Sequence, residues 1–192
     1  EYIQKYKEAL FAEAENRYVN SGYQAAVDYL QESLTDYEDD EIREKIQYYE
    51  SLKPVNLLTE NYIEGDLDKY LVDYGDTNDS FGNSYTYKLS CGDLIKMAYF
   101  LRYALDGNYS TLDFDLALND EYKDTDLKVW IELYDENGNL IFESTHLGPG
   151  SRPEHFTVDI SEVNDLYIYA WKSTQEFKYS GPLLTNGFWV SK

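Results

Sequence analysis

A single cysteine, Cys91, excludes an internal disulfide and any cage of thiolates around a metal. The sequence holds only two histidines, His146 and His155, nine positions apart, and they do not form the His-Glu-x-x-His spacing of a zinc enzyme. There is no Gly-x-Ser-x-Gly elbow; Gly148-Pro149-Gly150-Ser151-Arg152 reads as a loop. A phosphate-cradling glycine loop closed by Lys-Ser/Thr is missing too. Long apolar runs of roughly 18 residues or more do not occur, so the segment is not expected to insert into a membrane. The chain begins at Glu1 rather than Met, which reads as a trimmed or processed form with room upstream for an export signal or anchor.

Basic residues are scarce: 16 Lys and Arg stand against 37 Asp and Glu, a formal net charge of −21 spread over both halves of the 192 residues. Such a field repels phosphate backbones, so nucleic acid is excluded as a partner. Carboxylates are so numerous that some pair will stand at glycosidase separation by chance, and their number is no sign of hydrolysis. A non-catalytic protein is expected.

What the sequence has in quantity is tyrosine, 21 copies beside 8 Phe and 3 Trp. A phenol packs like Phe but carries a hydroxyl that needs a partner, which suits half-exposed strands and polar binding faces. Apolar residues make up 43%, enough to build a core.

The first fifty or so residues read as helix. Ile3, Tyr6, Leu10, Ala14 and Tyr18 recur at three- and four-residue spacing, and Asn20-Ser21-Gly22 breaks the pattern. Tyr23, Ala26, Val27, Leu30 and Leu34 mark a second helix. Asp39 and Asp40 are candidate caps for a third, carrying Ile42, Ile46, Tyr49 and Leu52 and closed by Pro54. Beyond Pro54 the period becomes two. Leu127, Val129, Ile131 and Leu133 alternate with Lys128, Trp130, Glu132 and Tyr134, and residues 135–139 form a hairpin loop in which Gly138 supplies positive φ. Phe156, Val158 and Ile160 alternate again before the strand 166–171; further strands are expected at 70–74, 84–89, 98–105, 112–118 and 187–191. The fold class expected is α+β by segregation: a helical segment, 1–54, then an all-β antiparallel sandwich or barrel, 55–192.

Two resemblances sharpen this. Residues 14–34 resemble one tetratricopeptide (TPR) unit, with Ala14 as the small residue of its first helix, Gly22-Tyr23 as the turn and Ala26 as the small contact of its second. Residues 55–192 resemble the NPCBM-like family of carbohydrate-binding modules. The resemblance is carried by Tyr99-Phe100-Leu101 leading into Leu105-Asp106-Gly107-Asn108-Tyr109-Ser110-Thr111-Leu112, an Ala117-centred strand, the hairpin 129–144, Pro153 to Val163, and Asp165-Leu166-Tyr167-Ile168. Residues 73–85 look like the start of that module in bacterial surface proteins, whereas 175–185 have no counterpart in its pattern. The resemblance implies a jelly-roll sandwich of the galactose-binding-like kind, an extracellular or cell-surface location, and a non-catalytic binding role toward a glycan or another surface protein.

Candidate site residues follow from chemistry. A saccharide needs a flat ring for its C–H face and polar groups for its hydroxyls; Trp171, beside Lys172 and Gln175 with Tyr169 and Tyr179 nearby, is the candidate platform. Trp130 and Trp189 read as core or sheet-face packing. No cofactor is expected, with calcium the one ion the sequence suits: Asp73, Asp76, Asn78 and Asp79 supply oxygen ligands, although the run fails the EF-hand pattern, with Phe81 and Tyr87 where Gly and Glu belong. The competing reading is an Asx-rich turn. The alternative function is a protein-interaction or assembly element whose helices engage a partner beside Tyr18, Tyr23 and Tyr29.

Overall fold

The computed structural model describes residues 2–34, 39–59, 64–65, 71–72, 77–93, 99–173 and 181–192; for 64, 65, 71, 72, 92, 93 and 99 the description is of the backbone. The chain forms two compact units, Glu1–Pro54 and Val55–Lys192.

In the first unit α1 (Tyr2–Ser21), α2 (Tyr23–Leu34) and α3 (Asp40–Glu50) share a core of Leu10, Ala14, Ala26, Val27, Leu30, Ile42, Ile46 and Tyr49. Gly22 turns the chain between α1 and α2 at φ +82°, a left-handed value that suits glycine. Asp39 caps α3: its side chain accepts from the Glu41 and Ile42 backbone N–H groups, and its other oxygen is paired with Lys7 of α1. The apolar stripe of α1 outruns this core. Ile3 and Tyr6, which helical spacing places on the packed face, are exposed, because a helix of 20 residues extends past partners of 12 and 11.

In the second unit alternation does what period two requires. In Asp165–Lys172 the side chains of Leu166, Ile168, Ala170 and Lys172 turn inward, and Asp165, Tyr167, Tyr169 and Trp171 turn outward. Two sheets face each other. One contains, among others, Thr111–Leu118 flanked by Glu154–Asp159 on one side and by Phe188–Ser191 and Leu183–Thr185 on the other. The other runs Leu140–Glu143, Val129–Tyr134, Asp165–Lys172, Tyr99–Ala104. The pairings among these strands are antiparallel; Gly92–Asp93 adds a short parallel contact to Asp165–Lys172. Between the sheets Phe114 meets Phe188, Phe156 and Phe142 at centroid distances of 5.1, 5.4 and 5.9 Å, with Ile131, Leu133, Leu166 and Ile168 filling in from the opposite layer. Each such side chain contributes about 2 kcal/mol of apolar burial. Cys91 lies in this core, where burial pushes its thiol up to about 12, so it packs as a small apolar residue rather than a nucleophile.

Two hairpin loops are built alike from the pattern Asp-x-x-Gly-Asn. In 135–139, Asp135 Oδ1 accepts from the Asn137 and Asn139 backbone N–H groups at 2.9 and 2.8 Å, Oδ2 accepts from Asn139 Nδ2 at 2.8 Å, and Gly138 sits at φ +77°. In 79–83, Asp79 accepts from Phe81, Asn83 and Asn83 Nδ2 at 2.8, 2.9 and 2.8 Å, with Gly82 at φ +84°. The Asx oxygens replace the ladder bonds that the turn breaks.

Candidate saccharide site on the outer face of one sheet

The outward side chains of the Val129–Tyr134 and Asp165–Lys172 strands meet in register: Trp130 opposite Trp171, Glu132 opposite Tyr169, Tyr134 opposite Tyr167. Phe100 continues the second rung and Arg102 the third from Tyr99–Ala104. Cross-strand pairing at about 5 Å brings these rings into contact. Tyr169 and Trp171 lie within 9° of parallel at 6.0 Å, Phe100 stacks on Tyr169 at 5.3 Å, and Tyr134 meets Tyr169 edge-on at 5.4 Å. The rings of this sheet face are half-buried except Trp130, which is only 4% exposed because the His146 ring covers it at 4.1 Å and 14°.

Glu132 organises the face. Its Oε1 accepts the Trp130 indole N–H at 3.1 Å, and its Oε2 accepts the Trp171 indole N–H and the Tyr134 hydroxyl, both at 2.9 Å. One carboxylate therefore fixes three aromatic side chains. The bond to Glu132, with burial second, pushes the Tyr134 phenol up to about 12.

Beside these rings the loop 135–138 rises as a wall, and the space between it and Tyr134, Tyr167, Tyr169 and Trp171 is an open cleft of about 570 Å³. The wall is anchored at its base: Glu136 accepts from Asn164 Nδ2 at 2.9 Å and from the Asn164 and Asp165 backbone N–H groups at 3.2 and 3.4 Å. The bond from Asn139 holds the Asp135 carboxyl below its ordinary range, and the bond from Asn164 does the same for Glu136. Arg102 pairs with Asp165 at 2.6 Å and stands over the Tyr167 ring at 5.6 Å.

Of the residues that sequence chemistry puts at this site, Trp171 and Tyr169 come together on the cleft. Lys172 does not join them: strand alternation sends its side chain to the opposite, core-facing side, where it is 6% exposed. Gln175 and Tyr179 lie outside the described residues. Tyr134, Tyr167, Glu132 and the loop 135–138 are additions; the signal for them was the same alternation, read across the paired strand instead of along one strand.

Of the oxygen cluster, Asn78 and Asp79 lie among the described residues. Asp73 and Asp76 lie outside the described residues, and Asn78 Oδ1 accepts the Ser84 hydroxyl at 2.8 Å. Asp79, 4% exposed, spends its oxygens on its own loop and on the Tyr85 hydroxyl at 3.2 Å. Burial pushes its carboxyl up, but the bonds from Asn83, Phe81 and Tyr85 outweigh it and hold the group below its ordinary range. This is the Asx turn, in which the carboxylate serves the backbone. His146 and His155 lie on different sheets' outer faces: His146 on Trp130, bonded to Glu143 at 2.9 Å, and His155 bonded to Asp115 at 2.8 Å. They share no site. Tyr18, Tyr23 and Tyr29 are partly buried against the helical core, with the Arg17 guanidinium 4.2 Å from the Tyr29 ring centre.

The antiparallel sandwich shares its fold with CBM51 carbohydrate-binding modules. A CBM51 from Clostridium perfringens GH95, solved in complex with methyl-galactose, aligns over 72% of this chain and 100% of that one, at a TM-score of 0.53 and 15% identity. The CBM51-2 and INT domains of Clostridium perfringens ZmpB align over 72% of this chain and 32% of theirs, at 0.54 and 10%. Tandem CBM51 modules of Sp3GH98, a family 98 glycoside hydrolase from Streptococcus pneumoniae, align over 73% and 47%, at 0.54 and 9%. This chain thus spans about a third of the ZmpB structure and under half of the tandem one. At such identities the likeness is one of fold. No family model matches the sequence, and no curated protein matches it.

Proposed function

We propose that this chain is a non-catalytic glycan-binding module, of the NPCBM-like type, of a secreted or surface-attached bacterial protein. The observation that carries the reading is the Glu132 carboxylate, which sets Trp171 and Tyr134 beside a cleft walled by a self-bonded loop. A pyranose has an apolar C–H face and a hydroxyl rim. The half-buried Trp171 and Tyr169 rings suit the first, and the Tyr134 and Tyr167 hydroxyls and the loop backbone suit the second. The face is preorganised, so binding orders few side chains and their entropy is not lost again. Asp135 and Glu136, the wall carboxyls, are shifted downward, opposite to the upward shift a general acid needs, which supports binding rather than hydrolysis. Structural neighbours have been solved with methyl-galactose and with GlcNAc, and a neutral hexose or N-acetylhexosamine fits the acidic surroundings here. Among the described residues no helix is long and apolar enough to cross a membrane.

The test is retention on a glycan array and in affinity gels loaded with soluble polysaccharide. The wild type should be retained, and Trp171→Ala should lose retention by more than tenfold, the cost of deleting a central aromatic contact, with an unchanged circular dichroism spectrum. Absence of wild-type retention on every neutral glycan overturns the reading. Acid should act through the wall. Groups with depressed pKa values stabilise the loop above the ordinary 3.8 and 4.5 of Asp and Glu, and that contribution is lost as the pH falls through and below them. Retention is therefore expected to decline as the pH falls below those ordinary values, before the sandwich unfolds; a profile flat until global unfolding would show that the loop takes no part.

A further inference from the structure

The other sheet also carries an aromatic on its outer face. In Phe188–Ser191 burial alternates, with Phe188 and Val190 wholly inside and Trp189 42% exposed. Its cross-strand neighbour is Asp113, whose neighbour in turn is Thr157, so the indole, the carboxylate and the hydroxyl form one rung over three strands. The Thr157 hydroxyl donates to Asp113. In the next rung His155 Nδ1 is 2.8 Å from Asp115, and on the other side the Thr111 and Ser191 hydroxyls are paired.

What surrounds this indole decides what it suits. A protein-binding hot spot sits within a rim of further apolar contacts that keep water out. Among the described residues, the neighbours in register around Trp189 are Asp113 and Asn56 beside the indole, then Thr157, Asp115, His155, Thr111, Ser191 and Asp159, all of them hydrogen-bonding groups. Strands about 4.8 Å apart place the carboxylate roughly 5 Å and the hydroxyl roughly 10 Å from the ring, the radius over which the hydroxyls of one or two pyranose units reach. A flat apolar plane ringed by polar groups matches a molecule with one C–H face and a hydroxyl edge. The carboxylates of Asp113, Asp115 and Asp159 around the indole, on a chain of net charge −21, disfavour sialylated or uronate glycans.

We infer that this face is a second saccharide site, built on Trp189 with Asp113 and Thr157, that takes a neutral pyranose and makes the module bivalent. It is independent of the cleft at Trp171, because the two indoles stand on the outer faces of opposite sheets. Two weak sites on one rigid body engage a surface of repeated glycans with an avidity neither has alone.

The three tryptophans allow each site to be read separately, since each contributes one indole N–H signal to a proton–nitrogen correlation spectrum. With Trp171→Phe and Trp189→Phe used for assignment, the protein is titrated with methyl-galactose, GlcNAc, lactose and a soluble β-glucan. The Trp189 signal should move saturably with at least one of these, in the wild type and equally in Trp171→Ala. Asp113→Asn, which keeps the shape, should weaken that response several-fold. Trp189→Ala should lower retention on a glycan-coated surface at least tenfold while leaving the response at Trp171 intact. A Trp189 signal that stays still throughout the panel, or moves only when Trp171 is present, overturns the inference. Movement at Trp171 alone sinks this site and spares the cleft; movement at Trp189 alone does the reverse; stillness at both ends both readings.

Discussion

Glu132→Ala is expected to abolish glycan retention while the sandwich still folds. The carboxylate accepts from Trp130, Trp171 and Tyr134, and it lies on the outer face rather than in the core. Bonds to a charged acceptor contribute about 1.5–3 kcal/mol each. Their loss frees the Trp171 ring and the Tyr134 phenol to rotate, so ordering them falls to the ligand. We expect a loss of affinity on the order of 30-fold or more, comparable to deleting a hot-spot ring. Glu132→Gln separates charge from shape. Its amide oxygen accepts, but its NH₂ group cannot receive the donors that now share two oxygens, so an intermediate loss is expected. A second readout is spectroscopic. The fold keeps the Tyr134 proton up to about pH 12, against 10.0 ordinarily, chiefly through Glu132. A raised pKa stabilises the fold below the ordinary value, and that contribution disappears as the pH climbs from 10 toward 12. Ultraviolet titration of Glu132→Gln should show one tyrosine ionising earlier; an unchanged curve together with unchanged retention would remove Glu132 from its organising role.

Gly187→Ala is expected to be the most damaging single-atom-scale change in the sandwich. Gly187 has φ +130°, and a Cβ there would stand 2.4 Å from Asn56 Nδ2 and 2.6 Å from its Oδ1. Asn56 is 6% exposed and cannot yield, because its Oδ1 accepts from the Leu58 and Phe188 backbone N–H groups at 3.1 and 3.2 Å. The added methyl combines strain at a conformation that only glycine holds easily with displacement of a buried amide that ties the helical turn Leu57–Thr59 to the strand Phe188–Ser191. Together these amount to about 3 kcal/mol, measured as a lower denaturant midpoint. Gly138→Ala is the control: its φ is +77° but nothing lies within 4 Å, so only backbone strain applies and the loss should stay near 1 kcal/mol. Equal losses at the two glycines would refute the packing argument.

Much of this was readable in advance, for reasons that can be named. Asp39 announces the third helix because a carboxylate before an apolar period has one cheap use, capping. Leu112, Phe114 and Leu116, like Leu166, Ile168 and Ala170, announce strands because each faces the core on one side and solvent on the other. Leu183–Thr185 escaped. Its three residues are all buried, Leu183 in the main core and Leu184 against Tyr85 and Ala117 on the sheet's other side, so no alternation survives to be seen. Chain proximity misled for Lys172, which is adjacent to Trp171 in sequence and on the opposite face in space. The Glu132 network was beyond reach, since a three-way bond needs the register of two strands, and register is set by the fold and not by either strand alone. The exposure of Trp189 escaped similarly: an indole between Phe188 and Val190 looks like core until one knows which way the strand faces.

The most direct measurement is a crystal structure of the protein grown with the neutral glycan that retains it most strongly. A sugar ring seated on Trp171 and Tyr169, with its hydroxyls turned to Tyr134 and the loop 135–138, is the predicted result. A glycan lodged elsewhere, with that cleft holding only solvent, would contradict it.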